Sequence, residues 1–347
     1  MAWIQTREHA SRTVYAVRFR IDGRQSTATW PTMAEAEKFK ALVESAGPHK
    51  ALEVHGLKDT VKALPSRETV GEYLDAYIAS LTGVERKTIA EYTRYAQSDL
   101  KPLTHIPLAA LTRVDVAGWV NGLKGSGKTI QNKHGFLSGA LKHAVKDGKL
   151  AGNPCEGMRL PRSEAAEMVF LTTDEYRLLR DCFSEHYQPL VAFLVSSGAR
   201  FSEAAALRPA DVNRAEGTVR ISRSWKKIPG GWELGAPKTK RSVRTIDVPA
   251  DVLDELDYEH EWLFVNTSGN PVRTYGFREN VWNPTVKKAQ AKGLEKRPRV
   301  HDLRHTCASW LIDDGNSLVY VQRHLGHESI KTTVDRYGHL ANCSRLR

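Results

Sequence analysis

The apolar period of this chain changes twice along its length, and no single hydrophobic core satisfies all three patterns. From Trp3 to Trp30, short β-branched and aromatic runs alternate with polar residues. From Thr69 to about Pro161, apolar positions recur at helical spacing, and beyond Met168 helical and strand-like runs mix. Gly, Pro and charged residues accumulate between these stretches, at 47–67 and 153–166. With 347 residues the chain also exceeds what one core fills. The expectation is a multidomain, mainly α protein. It has a small N-terminal three-stranded β-sheet plus helix at 1–50, a linker or connecting helix at 51–66, an all-α helical domain at 67–161 and a mixed α+β domain at 162–347.

In the first stretch, "AWIQTRE", "TVYAVRFRI" and "RQSTATW" read as an antiparallel meander with an Asp22-Gly23 turn. Thr32, with Glu35 three residues on, reads as the cap of a helix running to Gly47. Alternation puts Arg18 and Arg20 on one sheet face and Val17, Phe19 and Ile21 on the other. A basic sheet face suits a DNA groove as well as plain solvent. The helical stretch offers four candidates, "VGEYLDAYIASL", "ERKTIAEYTRYAQSDL", "TRVDVAGWVNGL" and "TIQNKHGFLSGALKHAVKDG", which make a small bundle. In the third stretch, Thr172 or Thr173 caps a first helix, Gly198 breaks a second, and "GTVRIS" and "SVRTIDVP" read as strands.

Fifty-one Lys and Arg against 40 Asp and Glu leave a net charge of +11, which favours a polyanionic partner. Cys155, Cys182, Cys307 and Cys343 stand singly, which argues against a disulfide framework or zinc knuckle and for a reducing cytoplasm. No apolar run is long enough to span a bilayer, so neither export nor membrane insertion is expected.

Two motifs invite readings that their context opposes. "GLKGSGKT", Gly122 to Thr129, fits a nucleotide-binding loop, yet a helical pattern precedes it where a buried parallel strand is required. A Gly-Ser turn is expected instead, with Lys124 and Lys128 available to phosphates. "HDLRH" has the histidine spacing of zinc peptidases but carries Asp302 where their general-base glutamate stands. His301 and Arg304, three residues apart, share a helical face suited to a phosphate instead.

Five strings reinforce one another: "SGARFSEAAAL" with Arg200 and Glu203, "APKTKRSVRTIDVP" with Lys238, "HDLRHT" with His301 and Arg304, "HLGHESIKTTVDRYGH" with His327, and Tyr337 ten residues later. Their order and spacing resemble the signature of the tyrosine recombinases, in the phage integrase branch, from about Met168 to Leu340. The stretch from Ser66 to Pro161 resembles that family's core-binding domain, and the N-terminal module is similar to the arm-binding domain of larger integrases. No catalytic position departs from the pattern.

The resemblance implies a site-specific recombinase that integrates or excises a phage or mobile element by type IB topoisomerase-like chemistry. Tyr337 attacks a backbone phosphorus to form a 3′-phosphotyrosyl bond, which conserves the energy of the broken linkage. Arg200 and Arg304 clamp the non-bridging oxygens, and Lys238 gives a proton to the departing 5′ oxygen. Lys240, Arg241 and Arg244 sit where their charges lower the Lys238 pKa, and Lys240 and Arg241 are also counted as DNA contacts. His301 accepts the tyrosine proton or bonds the phosphate, and His327 makes a further phosphate contact. Glu203 orients Arg200 or supports His301 and Lys238. Ser196, Ser197 and Cys307 lack the context of a nucleophile.

No cofactor or metal is implied. The implied partners are duplex DNA attachment sites of core and arm types, three further copies in a tetramer on DNA, a host bending factor and a directionality factor. The two larger domains form a C-shaped clamp on DNA in this family, and the tail after Tyr337 docks on a neighbouring protomer. The setting is a bacterial cytoplasm. A chromosome-dimer resolvase or transposon recombinase shares the chemistry, and a catalytically inactive DNA-binding regulator shares only the basic surfaces.

Overall fold

Alternation within the first thirty residues builds the expected meander in the computed structural model, which describes residues 2–9, 12–21, 24–57, 68–163, 167–237 and 239–343. Strands β1 (Trp3–His9), β2 (Arg12–Ile21) and β3 (Arg24–Trp30) pair antiparallel in chain order. Asp22 and Gly23 lie outside the described residues. Helix α1 (Met33–Ala46) starts where Thr32 Oγ1 accepts the Glu35 N–H, and it lays Phe39 against Phe19 and Trp30, with centroids 5.5 and 5.2 Å apart. Val17 and Phe19 are fully buried beneath this helix, while Arg20 on the other face is exposed and Arg18 half-buried.

The stretch expected as a linker or connecting helix begins as helix. Helix α2 (Pro48–Val54) buries Ala51 and Leu52 in the same cluster, and His55 sets its ring edge against Trp30 and Phe39. Apolar side chains too few to show a period still found a core through tertiary contact.

The helical stretch follows the sequence closely. Its elements are α3 (Val70–Ser80), α4 (Arg86–Arg94), α5 (Arg113–Gly122) and α6 (Gly127–Lys146), around Leu74, Leu100, Leu108, Leu137 and Leu141. Thr69 with Glu72, and Thr112 with Asp115, close reciprocal caps that satisfy the first N–H groups of α3 and α5. The second expected helix is not uniform, because it widens into a π turn at Tyr95–Asp99. Asp99 holds that turn in place: its carbonyl accepts the Trp119 indole N–H at 2.7 Å, and its carboxylate takes Lys133 at 2.7 Å.

"GLKGSGKT" runs from the end of α5 into the start of α6, with Ser126 capping α6 through the Thr129 N–H. Lys124 and Lys128 are exposed. Gly127 is required by packing, since a Cβ there would lie 2.0 Å from the Arg162 carbonyl oxygen. The stretch expected as an interdomain linker is correspondingly tied down. Arg113 donates to the carbonyls of Glu156 and Gly157 at 3.0 and 2.9 Å, and Gln131 donates to Pro161 O at 2.9 Å.

The chain divides into two compact units, Met1–Glu164 and Ala165–Arg347. In the second, α7 (Thr173–Arg180) is capped by Thr172, and α8 (Gln188–Ser197), apolar nearly all round, runs through the core. Gly198 ends α8 at φ +58°, where a Cβ would meet Leu325 Cδ2 at 2.5 Å. After α9 (Phe201–Ala204), strands β4 (Val212–Asn213), β5 (Thr218–Ile221) and β8 (Arg244–Asp247) form a small antiparallel sheet. Between β5 and β8 stands an unforeseen hairpin, β6 (Ser224–Ile228) and β7 (Gly231–Gly235). Its footing is tertiary: the Arg273 guanidinium lies 3.6 Å over Trp225 and 5.3 Å from Trp232, and the Trp225 indole donates to Ala205 O.

Helices α10 (Ala250–Asp254), α11 (Thr274–Phe277) and α12 (Asn283–Ala291) cover the large core. Helices α13 (Asp302–Asp313), α14 (Leu318–Leu325) and α15 (Ile330–Cys343) enclose a smaller one of Ala308, Ile312, Val321, Leu325 and Tyr337. Among the described residues no helix is long and apolar enough to cross a membrane.

Gly127→Ala should therefore lower the stability of the first unit by about 1–3 kcal/mol, because Arg162 must give way. Lys128→Ala, at an exposed position, should stay within about 0.5 kcal/mol of the parent. Urea unfolding of both variants checks the pair, and equal midpoints would contradict the packing role of Gly127.

Candidate active site

The smaller core of the second unit gathers most of the residues singled out by sequence. Arg304, in the first turn of α13, is almost wholly buried. Its Nη1 donates to Gly198 O and its Nη2 to Leu325 O, each at 2.7 Å. Burial, with Arg200 and Arg244 nearby, pushes its pKa down to about 9. The fork expected to face a phosphate is thus half spent on backbone carbonyls, and its remaining N–H groups are the ones left for a ligand.

Arg200 precedes α9 and keeps 37% of its side chain exposed. Its Nη1 donates to Glu203 Oε1 at 2.7 Å, and Glu203 Oε2 takes Arg244 Nη2 at 3.0 Å. Burial alone would raise the Glu203 pKa, but the two guanidinium groups hold it below the usual carboxylate range. Glu203 thus bridges Arg200 and Arg244. Arg244 is not a free cation. It is buried, paired with Glu203, and donates from Nε to His324 O at 2.7 Å.

His301 sits at the N-terminus of α13, and His305, one turn on, packs its ring 4.9 Å from that of His301. Loss of hydration and the Arg304 charge bring His301 down to about 4; burial and the neighbouring His301 do the same for His305. His327 is buried beyond the left-handed Gly326, with Nδ1 2.9 Å from Thr333 Oγ1 and its ring parallel to that of Tyr337 at 6.2 Å. Burial and Arg304 push it to about 3. These shifts favour neutral rings, which offer lone pairs as well as N–H groups.

Tyr337 has no exposed surface. Its hydroxyl lies 2.8 Å from His305 Nδ1. Burial raises its pKa, while Arg304 and Arg336 oppose that rise.

Arg200, Glu203, His301, Arg304, His327 and Tyr337 therefore meet in one place. Lys238 lies outside the described residues; Lys240 falls in the turn Lys240–Ser242, and Arg241 donates to Glu328 O at 2.9 Å. Arg18, Arg20, Lys124 and Lys128 belong to the first unit. Sequence reasoning passed over His305, although "HDLRH" contains it, because that histidine entered only the zinc reading of the string, while the phosphate reading used His301 and Arg304. Among the described residues no three His, Cys, Asp or Glu side chains cluster to hold a metal.

The sequence profile of the Phage integrase family matches residues 166–343. The ICEBs1 integrase of Bacillus subtilis is 29% identical over 275 residues, covering 73% of this chain and 71% of that one. A tyrosine recombinase XerC-like protein of Caldanaerobacter subterraneus is 24% identical over 315 residues, covering 78% and 79%. In fold, the chain is similar to the Tn1549 transposon integrase in complex with a circular intermediate DNA, with a TM-score of 0.70 at 21% identity over 81% of this chain and all of that one. It is also similar to a lambda integrase dimer bound to a COC' core site, with a TM-score of 0.61 at 18% identity over 99% and 95%.

Glu203 gives a pH signature. Its folded pKa lies below the ordinary 4.5, so the stability it contributes is complete above pH 4.5 and is lost as pH falls through the lower folded value. The stability gap between the parent and Glu203→Gln should accordingly be widest near neutrality and close in acid. Urea midpoints measured across that range decide it, and a gap that ignores pH would contradict the assignment.

Proposed function

The chain belongs to the phage integrase family, and from that premise we propose that it is a site-specific DNA recombinase serving a phage or other integrating element, with Tyr337 as nucleophile. The observation that carries the reading is one cluster in which His327 stacks on a buried tyrosine, Arg304 lies close enough to oppose the rise that burial causes in that tyrosine's pKa, and Arg200 and His301 neighbour Arg304. A phosphodiester under attack gathers negative charge on its non-bridging oxygens, and oriented cations stabilise that charge more in the transition state than in the ground state. Arg200, braced by Glu203, supplies a planar fork, and Arg304 supplies the N–H groups its carbonyl partners leave free. As the Tyr337 oxygen bonds to phosphorus its proton passes to a neighbouring histidine, the bond to the 5′ oxygen breaks, and Lys238 protonates that oxygen. His301 and His327 donate to the phosphate. Rejoining runs the same steps backwards with a new 5′ hydroxyl, so no nucleotide need be hydrolysed.

The organisation proposed around this chemistry has three parts. The N-terminal sheet reads arm-type sites through Arg18 and Arg20, the helical domain holds core sites with Lys124 and Lys128 near phosphates, and the second unit cuts, with Lys240 and Arg241 as further DNA contacts. Net charge of +11 supports binding to a polyanion. A lambda integrase tetramer bound to a Holliday junction is among the similar folds, with a TM-score of 0.60 at 19% identity over 92% of this chain and 91% of that one, and four copies on DNA are proposed here too. A host bending factor, a directionality factor and a bacterial cytoplasm complete the proposal.

Tyr337→Phe should bind a nicked suicide substrate normally yet form no covalent adduct, and Arg200→Ala should lose at least about 10²-fold in cleavage. The parent should form its adduct in excess EDTA, because arginines carry the charge stabilisation. Denaturing gels and peptide mapping read all three, and an adduct surviving in Tyr337→Phe would overturn the mechanism.

Replacing Arg18 and Arg20 together by Ala should weaken binding to arm-site DNA and flatten its salt dependence by about two phosphate contacts. Cleavage of core sites should persist. Gel shifts over a salt series measure this, and unchanged arm-site affinity would remove the sheet from the interface.

A further inference from the structure

Helix α13 presents two imidazoles on one face, His301 at its mouth and His305 a turn deeper, and it is the deeper one that meets the nucleophile. His305 Nδ1 lies 2.8 Å from the Tyr337 hydroxyl. Both groups are buried beside apolar Ala308, Ile312 and Leu325, where a hydroxyl or imidazole without a partner is costly. Each therefore fixes the other. A neutral ring whose Nδ1 carries a lone pair turns the tyrosine O–H toward itself and directs the oxygen lone pairs elsewhere. Burial and the charges of Arg336 and Arg299 favour that neutral ring, with Asp302 opposing them.

We propose that His305 is the group that receives the Tyr337 proton during strand cleavage. This rests on Tyr337 being the nucleophile. As the bond from Tyr337 Oη to phosphorus forms and the bond to the 5′ oxygen breaks, the phenolic proton passes to His305 Nδ1, while the 5′ oxygen takes a proton from Lys238. On rejoining, the 5′ hydroxyl attacks, the phosphotyrosyl bond breaks and His305 returns the proton to Oη. A phosphodiester held by Arg200 brings a negative charge that favours the imidazolium as it forms. His301, at the mouth of the helix, is then left to the phosphate.

The test measures single-turnover adduct formation on a nicked suicide substrate with the full chain. His305→Phe should slow it by about 10²-fold at unchanged site affinity. His305→Asn, which keeps a hydrogen-bonding atom near the place of Nδ1 but is not basic, should be as slow. Installing a difluorotyrosine at position 337, whose phenol ionises near neutrality without help, should restore most of the rate in His305→Phe. A normal rate in His305→Asn would reduce His305 to holding the ring, and a slow His305→Phe that gains nothing from the fluorinated phenol would equally overturn the proposal. A normal rate in His305→Phe with the adduct on Tyr337 defeats this inference alone. No adduct on Tyr337 in the parent defeats the nucleophile assignment itself.

Discussion

Arg304 donates to two backbone carbonyls that come from segments far apart in the chain, Gly198 at the end of α8 and Leu325 at the end of α14. Helix termini leave carbonyls without partners, and here one guanidinium satisfies one from each of two helices. The geometry allows no slack. Gly198 is left-handed, and a Cβ on it would strike the side chains of Leu325 at 2.5 Å and Cys307 at 3.0 Å, so the helix end packs there only as glycine. Every other feature of the site is referred to this joint, because Arg200 follows α8 directly and His327 follows α14 directly.

Around the joint, cations outnumber their partners. Arg200, Arg244 and Arg304 share Glu203, and the surplus charge keeps the nearby histidines neutral although burial alone would already disfavour their cations. Lysine in place of any of these arginines would carry the charge without the fork that lets each reach two acceptors. The site is thus a fixed field of surplus positive charge, which suits the phosphate chemistry proposed for it.

Much of this was legible in the sequence. Alternation gave the N-terminal meander, Thr32 with Glu35 gave the start of α1, Thr172 or Thr173 marked the start of α7, and the recurrence of five short strings in register singled out Arg200, Glu203, His301, Arg304, His327 and Tyr337. What escaped depends on tertiary contact. The β6–β7 hairpin stands on Arg273 stacked over tryptophans, Ala51 and Leu52 are buried by a sheet far upstream, and Gly127 matters because Arg162 passes over it. His305 escaped for a different reason. A residue next to an assigned arginine was read only as part of a metal motif, and nothing local says that a tyrosine 32 residues later folds back onto it.

The burial of Tyr337 bears on what becomes of the DNA once it is cut. A phosphate ester of a phenol can be undone by any hydroxyl that reaches it, and water is the commonest hydroxyl in the cell. If Tyr337 is the proposed nucleophile, its ring must turn outward to meet a phosphate, and Ala308, Ile312, Val321 and Leu325 would still wall one side of the ester against water. The hydroxyl with the best access would then be the one the duplex itself delivers, a DNA end.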